Sequence, residues 1–492
     1  MGKGQYMGVL PTLVRYSLAA LTAEPPAESA TPIAEDEDPA VEIGLEFVRA
    51  TMAPLPPRPE LVLKALEFIE RVLTLTSTIV SNATGASALT EGGLIPSVLS
   101  LIAIPSDSIV QRLLGSHDCS PLQRDQIRAK VRFATAQVLQ ILEASVVTHS
   151  NSLTAFYDLQ GVESLVARLA SEMEVSEEEN NDSMETDDGG TLVSLRFSQR
   201  VLLYGLYTCL TVVFHQEPSS ALTAASSQTG SVQLRKPAVT KAVKKVMNNI
   251  VSYGGHIAYL VSTLLADVMN NDPQIVRHVH TSGIGKAVLS MLNKVEPGTA
   301  NPVIPPVGDL ITALPNVLSA LALTEDGAQA VFDANPFPSL LKVYHYPKYA
   351  MPRNRCLLND NTSFIGTGLE EVMRHVDKLK PLIIDAVVAS LKEIIKSAEE
   401  LIDRERENGT NLPSEDLVDS RSALIQYILN AGQILEHILH NEDNITPFVD
   451  AGGLDAVLDL FRSSLPRGRH FLAHISALSS PSVSTLHHST VE

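Results

Sequence analysis

The stretch FVDAGGLDAVLDLF, residues 448–461, sets a bulky apolar pair ahead of a short polar step and a glycine, then runs a helical stripe of Leu454, Val457, Leu458 and Phe461. Versions of the same phrase stand at TEGGLIPSVLSLI (90–102), YDLQGVESLVARL (157–169) and HVHTSGIGKAVLSML (278–292). Gly93, Gly161, Gly283 and Gly453 fit a tight turn before each stripe, where glycine takes up a backbone conformation that other residues enter at a cost. Asn335-Pro336-Phe337, ahead of SLLKV, reads as a fifth version with another turn chemistry. A single repeat cannot bury its own apolar face, whereas stacked repeats can. The phrase therefore predicts an all-α, armadillo/HEAT-like helical solenoid in which each stripe plugs its helix into the stack.

Other segments carry the same helical spacing. PELVLKALEFIERVL (59–73) has Pro59 in its first turn and Leu61, Ala65, Phe68, Ile69 and Val72 on one face. Residues 379–402 repeat the pattern through Leu382, Ile383, Val387, Leu391, Ile394 and Ile395, and residues 422–439 through Ile425, Ile428, Leu429, Leu435 and Leu439. No long alternating strand pattern is present. With no tryptophan and 5% aromatic residues, the core is built from Leu, Ile, Val and Ala, which suits helix-on-helix packing. The longest apolar runs, 201–214 and 310–323, span roughly 14 residues against the ~18 needed to cross a bilayer. Both read as buried helices, and no membrane partner is expected.

Four stretches of low order interrupt the pattern. They divide the chain into a first solenoid part at 1–170, with a Pro/acidic insert at 23–39, and an acidic, disordered linker at 171–192. A second solenoid part follows at 193–465, with flexible inserts at 216–231 and 404–416, and then a tail at 466–492, where the chain reads as truncated. The acidic run SEMEVSEEENNDSMETDDGG has almost nothing to bury.

The formal net charge of −19 disfavours binding to phosphate backbones, so no nucleic-acid partner is expected and basic protein partners are favoured. The N-terminus lacks the apolar core of a signal peptide, and Tyr6 breaks the myristoylation pattern. The expected compartment is the cytoplasm, the nucleus or both. On that reading the Asn-x-Ser/Thr triplets at Asn82, Asn361, Asn408 and Asn444 are chance matches.

A search for bond chemistry yields no catalytic, cofactor-binding or metal-ligating assignment. Cys209 sits in the apolar LYGLYTCLTVVF and reads as a buried small hydrophobe. Cys119 has His117 two residues away, and Cys356 follows the basic PRNR, yet neither belongs to a nucleophile motif. His437 and His440 are spaced for one metal but lack a third ligand. His278 and His280 read as flanking a turn. GIGK (283–286) lacks the spacing and preceding strand of a phosphate loop. The run RKPAVTKAVKK (235–245) reads as a solvated basic helix face, with an anionic partner or a nuclear-import signal as the alternative.

LPNVLSALALTEDGAQAVFDANPFPSLLKVYHYPKY (314–349) resembles the N-terminal armadillo-like region of the giant HECT-type E3 ubiquitin ligases. GQYMGVLPTLVRYSLAAL (4–21), KVRFATAQVLQILEASVVTHSNSLTAFYDLQGVESLVARLASEMEV (130–175), GLEEVMRHVDKLKPLIIDAVVASLKEI (368–394) and FVDAGGLDAVLDLF resemble it in the same order. Nothing in these residues resembles the family's catalytic HECT domain. The resemblance implies a non-catalytic, substrate-holding segment acting in protein ubiquitination, with basic proteins such as histones and unassembled ribosomal proteins as substrates. The competing reading is an armadillo-type scaffold or transport adaptor outside the ubiquitin system.

Overall fold

The turn in the opening phrase recurs as one backbone geometry. A computed structural model of the chain describes residues 9–22, 59–114, 119–148, 150–174, 181–185, 191–215, 229–293, 304–350, 359–408 and 415–464. In it Gly93, Gln160, Gly283, Asn335 and Gly452 all have positive φ, at 86°, 56°, 81°, 38° and 79°. At four of these turns the hydrogen bonds are the same. The amide before the left-handed residue donates four residues back, and the left-handed residue's own amide donates three back, as in Gly92 to Ala88, Gly93 to Thr90, Ala451 to Pro447 and Gly452 to Val449. Asn335 supplies the fifth turn, as its place in the phrase predicts. At Gly161 and Gly453 the expectation is corrected: the left-handed residue is the one before, Gln160 or Gly452.

The physical reason is a ring. A Cβ on Gly161 would come far inside van der Waals contact with Phe156 Cε2, and one on Gly453 far inside contact with Phe448 Cε2. These glycines make room for an aromatic five residues earlier. Where that earlier residue is Leu89 or Val279, the position after the turn is instead filled by Leu94 or Ile284, and all four side chains are buried. Volume is exchanged between the two positions, so the core stays filled without overlap. The left-handed residue itself is a separate matter of backbone cost. Gly93 has no atom within 4 Å of an added Cβ. Thermal denaturation should therefore show Gly93→Ala destabilised and Gln160→Gly stabilised, each by about 1 kcal/mol.

Two compact units divide the chain, Met1–Val288 and Leu289–Glu492. The helices run in chain order as α1 (Val9–Thr22), α2 (Pro59–Val80), α3 (Ala83–Glu91), α4 (Leu94–Ile102), α5 (Ser106–Leu114), α6 (Pro121–Thr148), α7 (Ser150–Asp158) and α8 (Gly161–Glu174). After the strands β1 (Asn181–Glu185) and β2 (Thr191–Leu195) come α9 (Phe197–His215), α10 (Thr229–Leu234), α11 (Pro237–Asn248), α12 (Ile250–Tyr253), α13 (Gly255–Asn271), α14 (Ile275–Thr281) and α15 (Ile284–Asn293). The rest are α16 (Gly308–Leu321), α17 (Glu325–Ala334), α18 (Phe337–Lys342), α19 (Pro347–Ala350), α20 (Asn359–His375), α21 (Lys380–Asn408), α22 (Glu415–His440), α23 (Ile445–Asp450) and α24 (Gly453–Ser464). Each left-handed turn joins a short helix to the last helix of a three-helix module that opens with a long one: α2, α6, α13, α16 or α22.

Within the first unit α2, α6, α9 and α13 pack side by side, and α4, α8 and α11 form a second row. Within the second unit α16, α20 and α22 form one row and α18, α21 and α24 the other. With the exception of α24, the helices of each row bury their apolar stripes against their neighbours, so the fold is an all-α helical solenoid. Helix α9, 19 residues long, is apolar and long enough to cross a membrane by length and composition. Its Leu202, Leu203, Leu206 and Leu210 are buried, and it packs between α6 and α13 as a core helix.

Several expectations need correction. The run at 171–192 does not separate the compact units; it lies inside the first. Helix α8 continues to Glu174 because Glu172 and Met173 are buried. Strands β1 and β2 pair antiparallel from Asn181↔Leu195 to Glu185↔Thr191, a two-stranded ribbon in an otherwise helical fold. The β-branched Thr191 and Val193 are its sequence signal. The insert at 404–416 narrows, since α21 extends to Asn408 and α22 begins at Glu415. The insert at 216–231 ends earlier, at the start of α10. Residues 23–39 and 466–492 lie outside the described residues.

Candidate functional site

The densest polar cluster is internal. Arg168 and Glu172 stand one turn apart on α8, which places both on the face that meets α6. Arg168 Nε lies 3.2 Å from Glu172 Oε1, and Arg132 of α6 brings Nη2 to 3.4 Å from Glu172 Oε2. All three side chains are 1% exposed or less. Arg168 also donates to Ser106 Oγ at 2.7 Å and to the Leu101 carbonyl at 3.4 Å. From α9, the Gln199 amide donates to the Glu172 carbonyl at 3.0 Å. Burial pushes both guanidinium pKa values down, and the Glu172 carboxylate draws them back up. Two cations thus share one carboxylate in the core, joining α5, α6, α8 and α9. A solvent-borne ligand has no access, so the cluster locks helices together.

The half-exposed fringe extends this lock. Arg128 binds Asp107 at 2.7 Å and Asp125 at 3.1 Å, and Arg196, just ahead of α9, reaches Asp125 at 2.9 Å.

The basic run at 235–245 is neither a free patch nor a purely solvated face. Lys245 Nζ donates to the Met173 carbonyl at 3.2 Å, and Lys241 lies 3.9 Å from Glu174, both in the last turn of α8. Lys244 donates to the Ser282 carbonyl at 3.1 Å, beside the Gly283 turn. Lys236 sits 3.9 Å from Glu163. Cations at a helix C-terminus meet its unpaired carbonyls and the negative end of its dipole. Lys244 and Lys245 of α11 therefore tie two neighbouring helix ends together, while Lys241 stays on the solvated side of the helix.

The candidate nucleophiles and ligands do not converge. Cys209 is buried, its thiol donates to the Leu139 carbonyl at 3.2 Å, and burial pushes its pKa well above the usual thiol range. Cys119 is half-buried just ahead of α6; Cys356 and His117 lie outside the described residues. His437 Nδ1 sits 3.3 Å from Thr367 Oγ1, and His440 closes the last turn of α22. His278 and His280 lie within α14 rather than flanking a turn, and His278 Nε2 contacts Thr240 Oγ1 at 3.1 Å. In GIGK, Gly283 is the left-handed residue and Ile284 opens α15. Among the described residues no group of three or more His, Cys, Asp or Glu is placed to hold a metal ion. Asn82 caps α3 by accepting from the Thr84 amide at 3.0 Å. Asn444 is buried with its amide donating to the Ile438 carbonyl at 2.9 Å, which accounts for two of the four Asn-x-Ser/Thr triplets in structural terms.

Fold and side chains together define a helical-repeat protein whose interior charges hold its own helices in place. Residues 136–422 match the family described as Domain of Unknown Function (DUF913). The chain belongs to that family, which is found in the N-terminal region of large HECT E3 ligases. It is 25% identical over 431 residues to the E3 ubiquitin-protein ligase UPL1 of Arabidopsis thaliana, covering 82% of this chain and 11% of that protein. To the E3 ubiquitin-protein ligase HUWE1 of Mus musculus it is 30% identical over 158 residues, 31% of this chain and 3% of that protein. The chain thus spans about a tenth of the length of the plant relative (11%). A crystal structure of an engineered protein overlaps 94% of this chain and 99% of its own at 13% identity and a TM-score of 0.34.

Proposed function

We propose that this chain is a non-catalytic segment of a HECT-type E3 ubiquitin ligase that holds substrates or partners for ubiquitination. The observation that carries the reading is the match of residues 136–422 to a domain family of the N-terminal region of such ligases. The burial of Cys209 supports it, because a thioester-forming cysteine must be reached by ubiquitin and activated as thiolate. The partner class is basic protein, favoured by the net charge of −19, in the cytoplasm, the nucleus or both.

Given ubiquitin, activating enzyme and conjugating enzyme, the purified chain should form no reducible ubiquitin adduct. An adduct lost on mutating Cys119, Cys209 or Cys356 would overturn the non-catalytic reading. Titrated with a histone, the chain should bind, with affinity falling about tenfold or more as salt rises through the physiological range. The control changes Glu177, Glu178 and Glu179 to Gln and Asp187 and Asp188 to Asn, leaving the buried Glu172 in place. Binding retained in this variant supports the helical stack as the partner surface; binding abolished assigns it to the acidic run. No binding by either chain removes basic proteins as the partner class.

A further inference from the structure

Counted from the left-handed residue of each turn, the stripe of the following helix falls at the second, sixth and ninth positions. After Gly93 these are Ile95, Leu99 and Ile102, and after Gln160 they are Val162, Val166 and Leu169; all six are buried. Phe337, Leu341 and Tyr344 after Asn335 are buried as well. After Gly452 the same positions are Leu454, Leu458 and Phe461, which are 49%, 43% and 59% exposed. The expectation that this stripe plugs into the stack is therefore corrected. Ala456 and Leu460 form the buried side of α24, which packs on α21. Ile445 and Val449, one turn apart on α23, are each 44% exposed too. A face that every comparable turn covers is bare here, and the exposed Asp450, Asp455 and Asp459 lie on the same two helices.

We propose that residues 469–478 of this chain, RHFLAHISAL, dock on that face as the next helix. Phe471, Ile475 and Leu478, with Leu472 beside Phe471, have in the sequence the i, i+4, i+7 spacing of an apolar helix face that would complement the stripe. In the sequence Pro466 and Gly468, both residues that disfavour helix, follow α24, and a connection of about four residues is enough to turn one helix back on another. Charge agrees with shape: Arg467 precedes the segment, Arg469, His470 and His474 lie within it, and no acidic residue follows Asp459 before Glu492. Asp459 pairs with Arg462 at 3.0 Å, so the exposed Asp450 and Asp455 are the carboxylates left for a basic partner helix to meet.

Amide hydrogen exchange along α24 tests this in the full chain, in an Ile475→Asp variant and in a chain ending at Ser464. Both variants should exchange about tenfold faster than the full chain over α24, with α9 unchanged. Equal rates in the full chain and Ile475→Asp would mean that the segment does not cover the face. Sedimentation separates the other occupant. A dimer broken by Leu458→Asp but kept by Ile475→Asp would give the face to a second copy of the chain and overturn the proposal.

Discussion

Glu172→Gln is expected to lower the unfolding free energy of the first unit by about 3–5 kcal/mol, measured by urea denaturation. Glutamine keeps the side chain's shape, so no cavity opens and the loss is electrostatic. Arg132 and Arg168 would remain in the core, 1% exposed or less, with no carboxylate between them. Removing one partner of a buried cluster leaves charge without compensation; replacing the whole cluster does not. Changing Arg132, Arg168 and Glu172 together to methionine should therefore recover most of the loss. A cost below about 1 kcal/mol for Glu172→Gln would place the cluster with surface ion pairs and end the view of it as a lock.

Gly161→Leu should cost about 3 kcal/mol through overpacking, because the new side chain enters the volume of the buried Phe156 ring. Phe156→Leu in the same chain should restore most of it, since Leu89 and Leu94 fill the corresponding positions around the Gly93 turn. Thermal unfolding of the two single variants and the double gives the coupling directly. Additive losses would show that the two positions do not exchange volume. Phe448 and Gly453 repeat the pair in the second unit, so the same cycle applies there.

The sequence by itself determined the helical class, the recurring turn and the family. Each of these is written locally: a left-handed residue constrains only its own backbone, and a stripe at helical spacing needs only its own helix. That is why Asn335 was legible as a fifth turn without a glycine. Other features required neighbours. In α22 the sequence places Ile425, Ile428, Leu429, Leu435 and Leu439 on the inner face, yet the most buried line runs through Tyr427, Asn430, Ile434 and Ile438. Asn430 sits at its centre because its amide donates to the Tyr344 carbonyl at 3.2 Å and its carbonyl oxygen accepts from Gln426 at 2.9 Å. Glu172 looked like the start of an acidic linker and is a core residue, since Arg132, 40 positions earlier (172 − 132), is folded against it. On α11, Lys241 is solvated as its spacing implies, whereas Lys244 and Lys245 cap other helices. The stripe after Gly452 has the same spacing as its buried counterparts and lies bare. Periodicity reports which residues share a helix face, but the depth of that face and the partner of each polar group depend on segments remote in the chain, and only tertiary packing brings those together.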